Sequence, residues 1–347
     1  MTGSGSFAAR IVRWQRSHGR NDLPWQGTRD PYRVWLSEVM LQQTQVATVR
    51  EYYARFLRRY PDVSALATAS EDEVFALWSG LGYYSRARNL HRCAREVVAR
   101  FGGTFPGDAA ALETLPGIGR STAAAIASLC FAAREAILDG NVKRVLTRVL
   151  GFDADLAVAA NERALWARAV ELLPKRDLGE AMPRYTQGLM DLGATVCVPR
   201  KPACLLCPVQ SMCVAQREAR PEAFPVKTRK LKRTAQSLWL LHARRGDGAV
   251  WLQKRASEGV WAGLYCMPVF DDRGSLFEAL GTTDVQEGPP FVHVLTHKDL
   301  HLHPVHALVR KAPGGEGAWF GAEAWPELGL PAPIRKLLLS TPLRGDA

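Results

Sequence analysis

From Phe7 to about residue 220 the apolar positions recur with helical spacing, and beyond residue 230 they switch to an alternating, strand-like spacing. Phe7, Ile11 and Trp14 mark a first helix over 7–18. Asp30-Pro31 opens a second over 32–43, with an N-cap candidate and a proline at the first turn. Thr44 is expected to cap a third helix, which ends near Arg59 ahead of Tyr60-Pro61. Helical spacing also covers 71–77, 85–100, 108–115, 121–131, 161–173 and 185–193. After a Pro/Ala/basic linker at 221–234, alternation over 237–243 and 249–254 flanks Arg245-Gly246-Asp247-Gly248, a hairpin signal. Alternation returns over 301–308, and a short helix closes the chain at 332–339. The pattern predicts a multidomain protein, all-α first and α+β after the linker.

Two carboxylates stand out against this pattern. At 100° per residue, Val34 and Leu41 fall on one side of Glu38, and Trp35 and Val39 on the other. Glu38 therefore lies in an apolar surface, with Gln42 one turn further on. Either an arginine from elsewhere pairs with it, or burial raises its pKa from about 4.3 and it keeps a proton near neutral pH. Asp139 follows a second device. Pro116-Gly117-Ile118-Gly119 is a tight turn ahead of an Ala-rich helix, where bare N–H groups can meet a phosphate. Asp139-Gly140-Asn141 then makes a second turn before another amphipathic run; near a helix start, Asp139 should carry its charge. Two helical hairpins with a capping Asp would look the same. The glycine-flanked pair Tyr83-Tyr84 reads equally as ordinary packing or as a wedge for a base stack.

Composition narrows the partners. The chain has 347 residues, 47% of them hydrophobic, enough for more than one core. A formal charge of +11 suits an acidic polymer. The linker alone carries Lys227, Arg229, Lys230, Lys232 and Arg233, either a solvated run or a set of phosphate contacts. No apolar run approaches the roughly 18–20 residues of a membrane span, and the first residues lack the apolar stretch of a secretory signal. The expectation is a cytoplasmic, nucleoid-associated monomer with no membrane partner.

Of seven cysteines, four cluster as Cys197-x6-Cys204-x2-Cys207-x5-Cys213. In a reducing compartment this reads as a metal site rather than as disulfides. Four thiolates in one short loop can hold zinc or a [4Fe–4S] cluster. Structural zinc usually uses two separated Cys-x-x-Cys pairs, which this compact, unequal run does not match.

These segments together carry a resemblance. LPGIGRSTA followed by LDGNVKRV is similar to the helix-hairpin-helix and Gly/Pro-rich-plus-Asp signature of the endonuclease III superfamily of DNA glycosylases, and the cysteine spacing matches that superfamily's cluster loop. WLSEVMLQQTQV and the C-terminal part narrow the resemblance to adenine DNA glycosylases of the MutY type. It implies a cluster-bearing helical domain over 1–28 and 135–220, a six-helix barrel with the hairpin over 29–134, the basic linker, and a Nudix-like domain over 235–347 that reads 8-oxoguanine. It implies a [4Fe–4S] cofactor on Cys197, Cys204, Cys207 and Cys213. Glu38 would protonate the base and activate water, and Asp139 would stabilise the oxocarbenium ion. Gln42 and Tyr83 match wedge residues, and Arg86, Gly117, Gly119, Ser121, Thr296 and His297 join them as DNA contacts. Trp25, Arg29 and Gln187 match the adenine pocket.

Bifunctional relatives carry a nucleophilic lysine where this chain has Ser121, so the resemblance implies hydrolysis without strand cleavage. Lys143 is a weak substitute at best. The C-terminal domain lacks a Glu-rich Nudix signature between Phe270 and Pro290, so pyrophosphate hydrolysis is not expected. Leu295-Thr296-His297 stands where the family usually has Phe-Ser-His, keeping a hydroxyl but losing the aromatic ring. Five C-terminal histidines (293, 297, 301, 303 and 306) are split by alternation over two strand faces, against a metal site. The expected substrate is double-stranded DNA with adenine opposite 8-oxoguanine or guanine. The alternatives are another endonuclease III-like glycosylase and a catalytically silent iron–sulfur DNA-damage binder.

Overall fold

A computed structural model describes residues 5–228 and 232–340. Arg229 and Lys230 of the basic linker lie outside the described residues. The described chain forms two compact units, residues 5–67 with 92–228 and residues 68–91 with 232–340.

The helices of the first two-thirds are α1 (Phe7–His18), α2 (Pro31–Leu41), α3 (Val46–Arg59), α4 (Val63–Thr68), α5 (Glu71–Trp78), α6 (Tyr84–Phe101), α7 (Ala109–Glu113), α8 (Arg120–Phe131), α9 (Gly140–Leu150), α10 (Ala159–Glu171), α11 (Leu178–Thr195) and α12 (Val214–Arg217). In the first unit, α1, α9 and α11 meet in a core that includes Ile11, Trp14, Val142, Leu146, Leu189 and Leu192. Glycine permits the closest approaches. A Cβ on Gly188 would stand 2.8 Å from Ile11, and one on Gly193 would stand 2.7 Å from the Asn141 side chain.

Most sequence-predicted helices are present, and two differ in instructive ways. α3 is capped not by Thr44 but by Gln45, without a side-chain cap bond. The segment expected at 185–193 is α11, which begins two turns earlier and contains Pro183. Proline has no N–H to give the carbonyl four residues before it, here Gly179. Arg29 Nη2 donates to that oxygen at 2.6 Å instead. A long-range side chain has replaced the missing helical bond.

In the second unit, β1 (Thr234–Arg244), β2 (Val250–Lys254), β3 (Tyr265–Cys266), β4 (Val269–Phe270), β5 (Gln286–Glu287), β6 (Phe291–Val294), β7 (Lys298–Leu308) and β8 (Ala318–Phe320) form one mixed sheet. β1 pairs with β2 and β4 antiparallel and with β7 in parallel, in unbroken register from Thr234↔Lys298 to Arg244↔Leu308. Helices α13 (Arg273–Leu280) and α14 (Ala332–Ser340) lie on opposite faces of the sheet. Leu276 of α13 packs with Leu241, Trp251 and Val305, while Ile334 and Leu338 of α14 pack with Leu240, Leu252 and Leu302. This double cover explains why β1 is buried from Leu240 through Ala243 rather than alternating to its end. Residues 68–91 belong to the same unit: Tyr84 donates to Leu330 O at 3.0 Å and Arg88 to Ala262 O at 2.7 Å.

Candidate active site and cluster loop

Glu38 is set in place by the start of its helix. Pro31 occupies the first turn of α2, and the Asp30 side chain accepts from Tyr32 N at 2.9 Å. The flanking Val34, Trp35, Leu36, Val39 and Met40 are all buried. In this surrounding the partly buried Glu38 carboxyl is pushed up to about 7, first by burial and then by the negative charge of Asp139. No arginine pairs with it among the described residues; its neighbouring charge is a second carboxylate.

Asp139 is the N-cap of α9. Its Oδ1 accepts from both Asn141 N (2.6 Å) and Val142 N (2.9 Å), which leaves Oδ2 outside the cap. Ser121, in the first turn of α8, takes the Leu138 N–H on its hydroxyl oxygen at 3.0 Å. That bond ties the hairpin helix to the segment that presents Asp139. Lys143, one turn into α9, is held by Glu162 at 2.5 Å.

The hairpin turn has bare backbone where a phosphate grip was expected. Gly117 has φ +76°, a backbone state that favours glycine. Gly119 caps α8 with no side chain, and a Cβ there would meet nothing within 4 Å. Its bareness leaves the first N–H groups of α8 open to a close ligand.

Gln42 is the C-cap residue of α2, partly buried, and the next residue, Gln43, has φ +58°. Trp25 is buried edge-on against Tyr53, with ring centroids 5.4 Å apart, and Arg29 is spent on Gly179 as described. Gln187 lies on α11, partly buried, with its amide directed to Asp191.

Tyr83, Arg86, Thr296 and His297 lie in the second unit. Tyr83 is 48% exposed at φ +49°, between Gly82 and α6. Arg86 does not reach outward. It is buried between the Trp78 and Tyr83 rings, at 5.3 and 5.4 Å, and donates to the carbonyls of Leu81 and Gly82. Burial pulls its guanidinium down to about 10. Its observed work is to support the Tyr83 loop. Thr296 and His297 form the exposed turn between β6 and β7, closed by Leu295 N to Lys298 O at 2.8 Å. Thr296 Oγ1 donates to the Tyr83 hydroxyl at 3.3 Å. Arg233 of the linker holds this turn through the carbonyls of Leu295 and Thr296 and an ion pair with Asp299. Of the other C-terminal histidines, His303 stacks on Trp239 and His306 meets the buried His242 nitrogen to nitrogen at 3.0 Å.

The four clustered cysteines line one apolar cavity together with Val145, Val149, Leu192, Val196 and Val209. None is in a disulfide. Beneath them lies Arg148 of α9, 2% exposed. It donates to Val198 O (2.8 Å), Pro199 O (2.9 Å) and Cys197 Sγ (3.4 Å), and its own carbonyl faces Cys213 Sγ at 3.4 Å. Arg144, one turn earlier, joins Cys197 O (2.8 Å) and Gly193 O (2.7 Å) to Asn141 Oδ1 (2.8 Å). One helix thus runs from Asp139 to the cysteine loop. Sequence reasoning passed over both arginines; the signal was available as charges at i and i+4 inside the stripe Val142, Val145, Leu146 and Val149. An apolar cage with four unbridged thiols and buried N–H donors fits an iron–sulfur group. Arg148→Ala removes four hydrogen bonds of a buried cation, the fourth from Nε to Phe224 O at 3.3 Å, each worth about 1.5–3 kcal/mol. The variant is expected to lose visible cluster absorption and melt well below the parent; unchanged absorption and melting would refute this role.

Comparison with known proteins identifies the family and its domains. The family model described as HhH-GPD superfamily base excision DNA repair protein matches residues 36–175, which include Glu38 and Asp139. The iron-sulfur binding domain of endonuclease III matches residues 197–213, and a NUDIX domain matches residues 239–340. An adenine DNA glycosylase of Buchnera aphidicola is 34% identical over 344 residues, spanning 96% of each chain. The chain belongs to the adenine DNA glycosylase family. Within it, the Mus musculus relative is 46% identical over 219 residues, 60% of this chain and 42% of its own length. Among solved structures, a thermostable thymine-DNA glycosylase is similar at a TM-score of 0.53 and 30% identity, covering 61% of this chain and 95% of that one. The protein is a base-excision DNA glycosylase that carries an iron–sulfur binding domain and a Nudix-like domain.

Proposed function

We propose that the chain is a monofunctional glycosylase that hydrolyses the N-glycosidic bond of adenine mispaired with 8-oxoguanine or guanine in double-stranded DNA. The observation that carries the reading is the pair of unlike carboxyl groups. Glu38, with a pKa near 7, keeps a proton to give to the departing base. Asp139 offers Oδ2 to the developing positive charge on the sugar while Oδ1 is fixed by α9. A carboxyl whose pKa is raised by burial can act as the acid while its hydrogen-bonded neighbour acts as the stabiliser, as in glycosidases. The target nucleotide must be flipped out, since its glycosidic bond is out of reach inside the duplex.

Ser121 occupies the place of a lyase lysine and is engaged with Leu138, while Lys143 is engaged with Glu162, which supports hydrolysis without strand scission. The cofactor on this reading is a [4Fe–4S] cluster held by Cys197, Cys204, Cys207 and Cys213, serving position and stiffness rather than hydrolysis. Thr296 and His297 would read the opposite base, a role supported by their exposed turn and its bond to Tyr83. The enzyme would act as a monomer. The test is base release from duplexes carrying A:8-oxoguanine, A:G, A:T or T:G. Adenine release from the first two supports the reading; thymine release would favour a thymine-mismatch enzyme.

A further inference from the structure

Asp191 is a carboxylate with no exposed surface, and the hydrogen bonds around it are more numerous than helix packing requires. Arg20 grips it twice, Nε to Oδ1 at 2.7 Å and backbone N–H to Oδ2 at 3.0 Å. Gly19 makes room for that grip: a Cβ there would stand 3.1 Å from Oδ2 and 2.6 Å from Gln15 O. The third donor is Gln187 Nε2, one turn earlier on α11, at 2.9 Å from Oδ1.

A carboxylate can only accept hydrogen bonds, and a carboxamide has one face of each kind. Asp191 therefore fixes which way Gln187 is turned. Its NH2 faces the buried anion and its Oε1 faces away, where no donor meets it among the described residues. Without the anion the amide could rotate by half a turn at little cost and present a donor instead.

We propose that Asp191, charged and clamped by Arg20, is a positioning residue that makes Gln187 display only an acceptor, and that this sets a preference for a base with an exocyclic amino group. The proposal rests on the reading of Gln187 as a residue of the base pocket. The 6-amino group of adenine donates, a 6-oxo group as in hypoxanthine accepts, and unsubstituted purine offers neither. A fixed acceptor gains a hydrogen bond from the first and is left unpaired or repelled by the others.

The test compares single-turnover rates on adenine, purine and hypoxanthine in otherwise identical duplexes, with the full-length, cluster-loaded protein. Asp191→Asn is expected to lower the adenine-over-purine rate ratio about tenfold, the worth of one hydrogen bond, and to lower the adenine-over-hypoxanthine ratio more. The double variant Asp191→Asn with Gln187→Glu should restore the parent ratios. There an Asn amide donates to one oxygen of a Glu carboxylate whose other oxygen faces outward, and Arg20 keeps an anion to pair with. A general loss of packing would slow all three substrates together and would not be restored, and that pattern overturns the proposal. If Asp191→Asn fails to fold, the charge-preserving double variant decides alone: parent ratios support the relay, and lowered ratios overturn it. Gln187→Ala separates the two layers. Unchanged ratios in that variant would mean that Gln187 does not meet the amino group, which removes the pocket reading and the proposal with it.

Discussion

Glu38→Gln is expected to lower the single-turnover rate of adenine release by about 10²–10⁴-fold, the usual worth of a positioned general acid. The amide keeps the size and polarity of the side chain but has no proton to give. The pH dependence of the parent follows from the same group. With the Glu38 carboxyl pushed up to about 7, the active protonated form is lost as pH rises through that value. The rate should be level below it and fall tenfold per pH unit above it, with no such limb in the variant. Stability should move the other way. A carboxyl whose folded-state pKa is raised above its unfolded value opposes folding once pH exceeds both, because the folded protein holds its charge in an apolar site. A neutral Gln removes that opposition. Above pH 7 the variant should melt no lower than the parent, and higher if the side chain is well accommodated. An inactive variant that also unfolds at a lower temperature would point to a structural role instead.

Asp139→Asn should cost at least 10²-fold in the same assay, the order seen when one electrostatic stabiliser is removed from a reacting centre. The choice of Asn is deliberate. Asp139 caps α9 through Oδ1, and Asn caps helices about as well as Asp, so stability should stay within about 1 kcal/mol. The substitution leaves the helix and the path to the cluster loop intact and removes only the charge. It also removes the second cause of the raised Glu38 pKa, so any residual activity should show its alkaline limb at a lower pH. Strong activity in Asp139→Asn would separate this residue from the chemistry.

How much of this was legible beforehand depends on the range of the interactions. The α2 start at Asp30-Pro31, the apolar surround of Glu38 and the loop character of Tyr83 are local properties, readable from spacing within a few residues. The cysteine run is equally local. What stayed hidden was set by distant partners. α11 looked shorter than it is because Pro183 breaks the local pattern, and nothing nearby announces that Arg29, about 150 residues away in sequence, replaces the missing bond. The parallel pairing of β1 with β7 joins segments separated in sequence by β2 to β6, so alternation suggested strands but not their burial on both faces. Arg86 was expected among the DNA contacts; only the fold shows it enclosed by Trp78 and Tyr83. Arg233 belonged to a basic run and serves as the clamp of the Leu295–Lys298 turn.

The central claim is that Glu38, its carboxyl pushed up to about 7, and a capped Asp139 remove a base without a lyase nucleophile. Its most direct test is single-turnover cleavage of a duplex with adenine opposite 8-oxoguanine, split into samples with and without alkali. The structure predicts strand breaks only after alkali, since Ser121 is bonded to Leu138 and Lys143 to Glu162. Breaks without alkali would contradict the claim by requiring an amine nucleophile at the site, and no breaks in either sample would contradict it by removing adenine as the target.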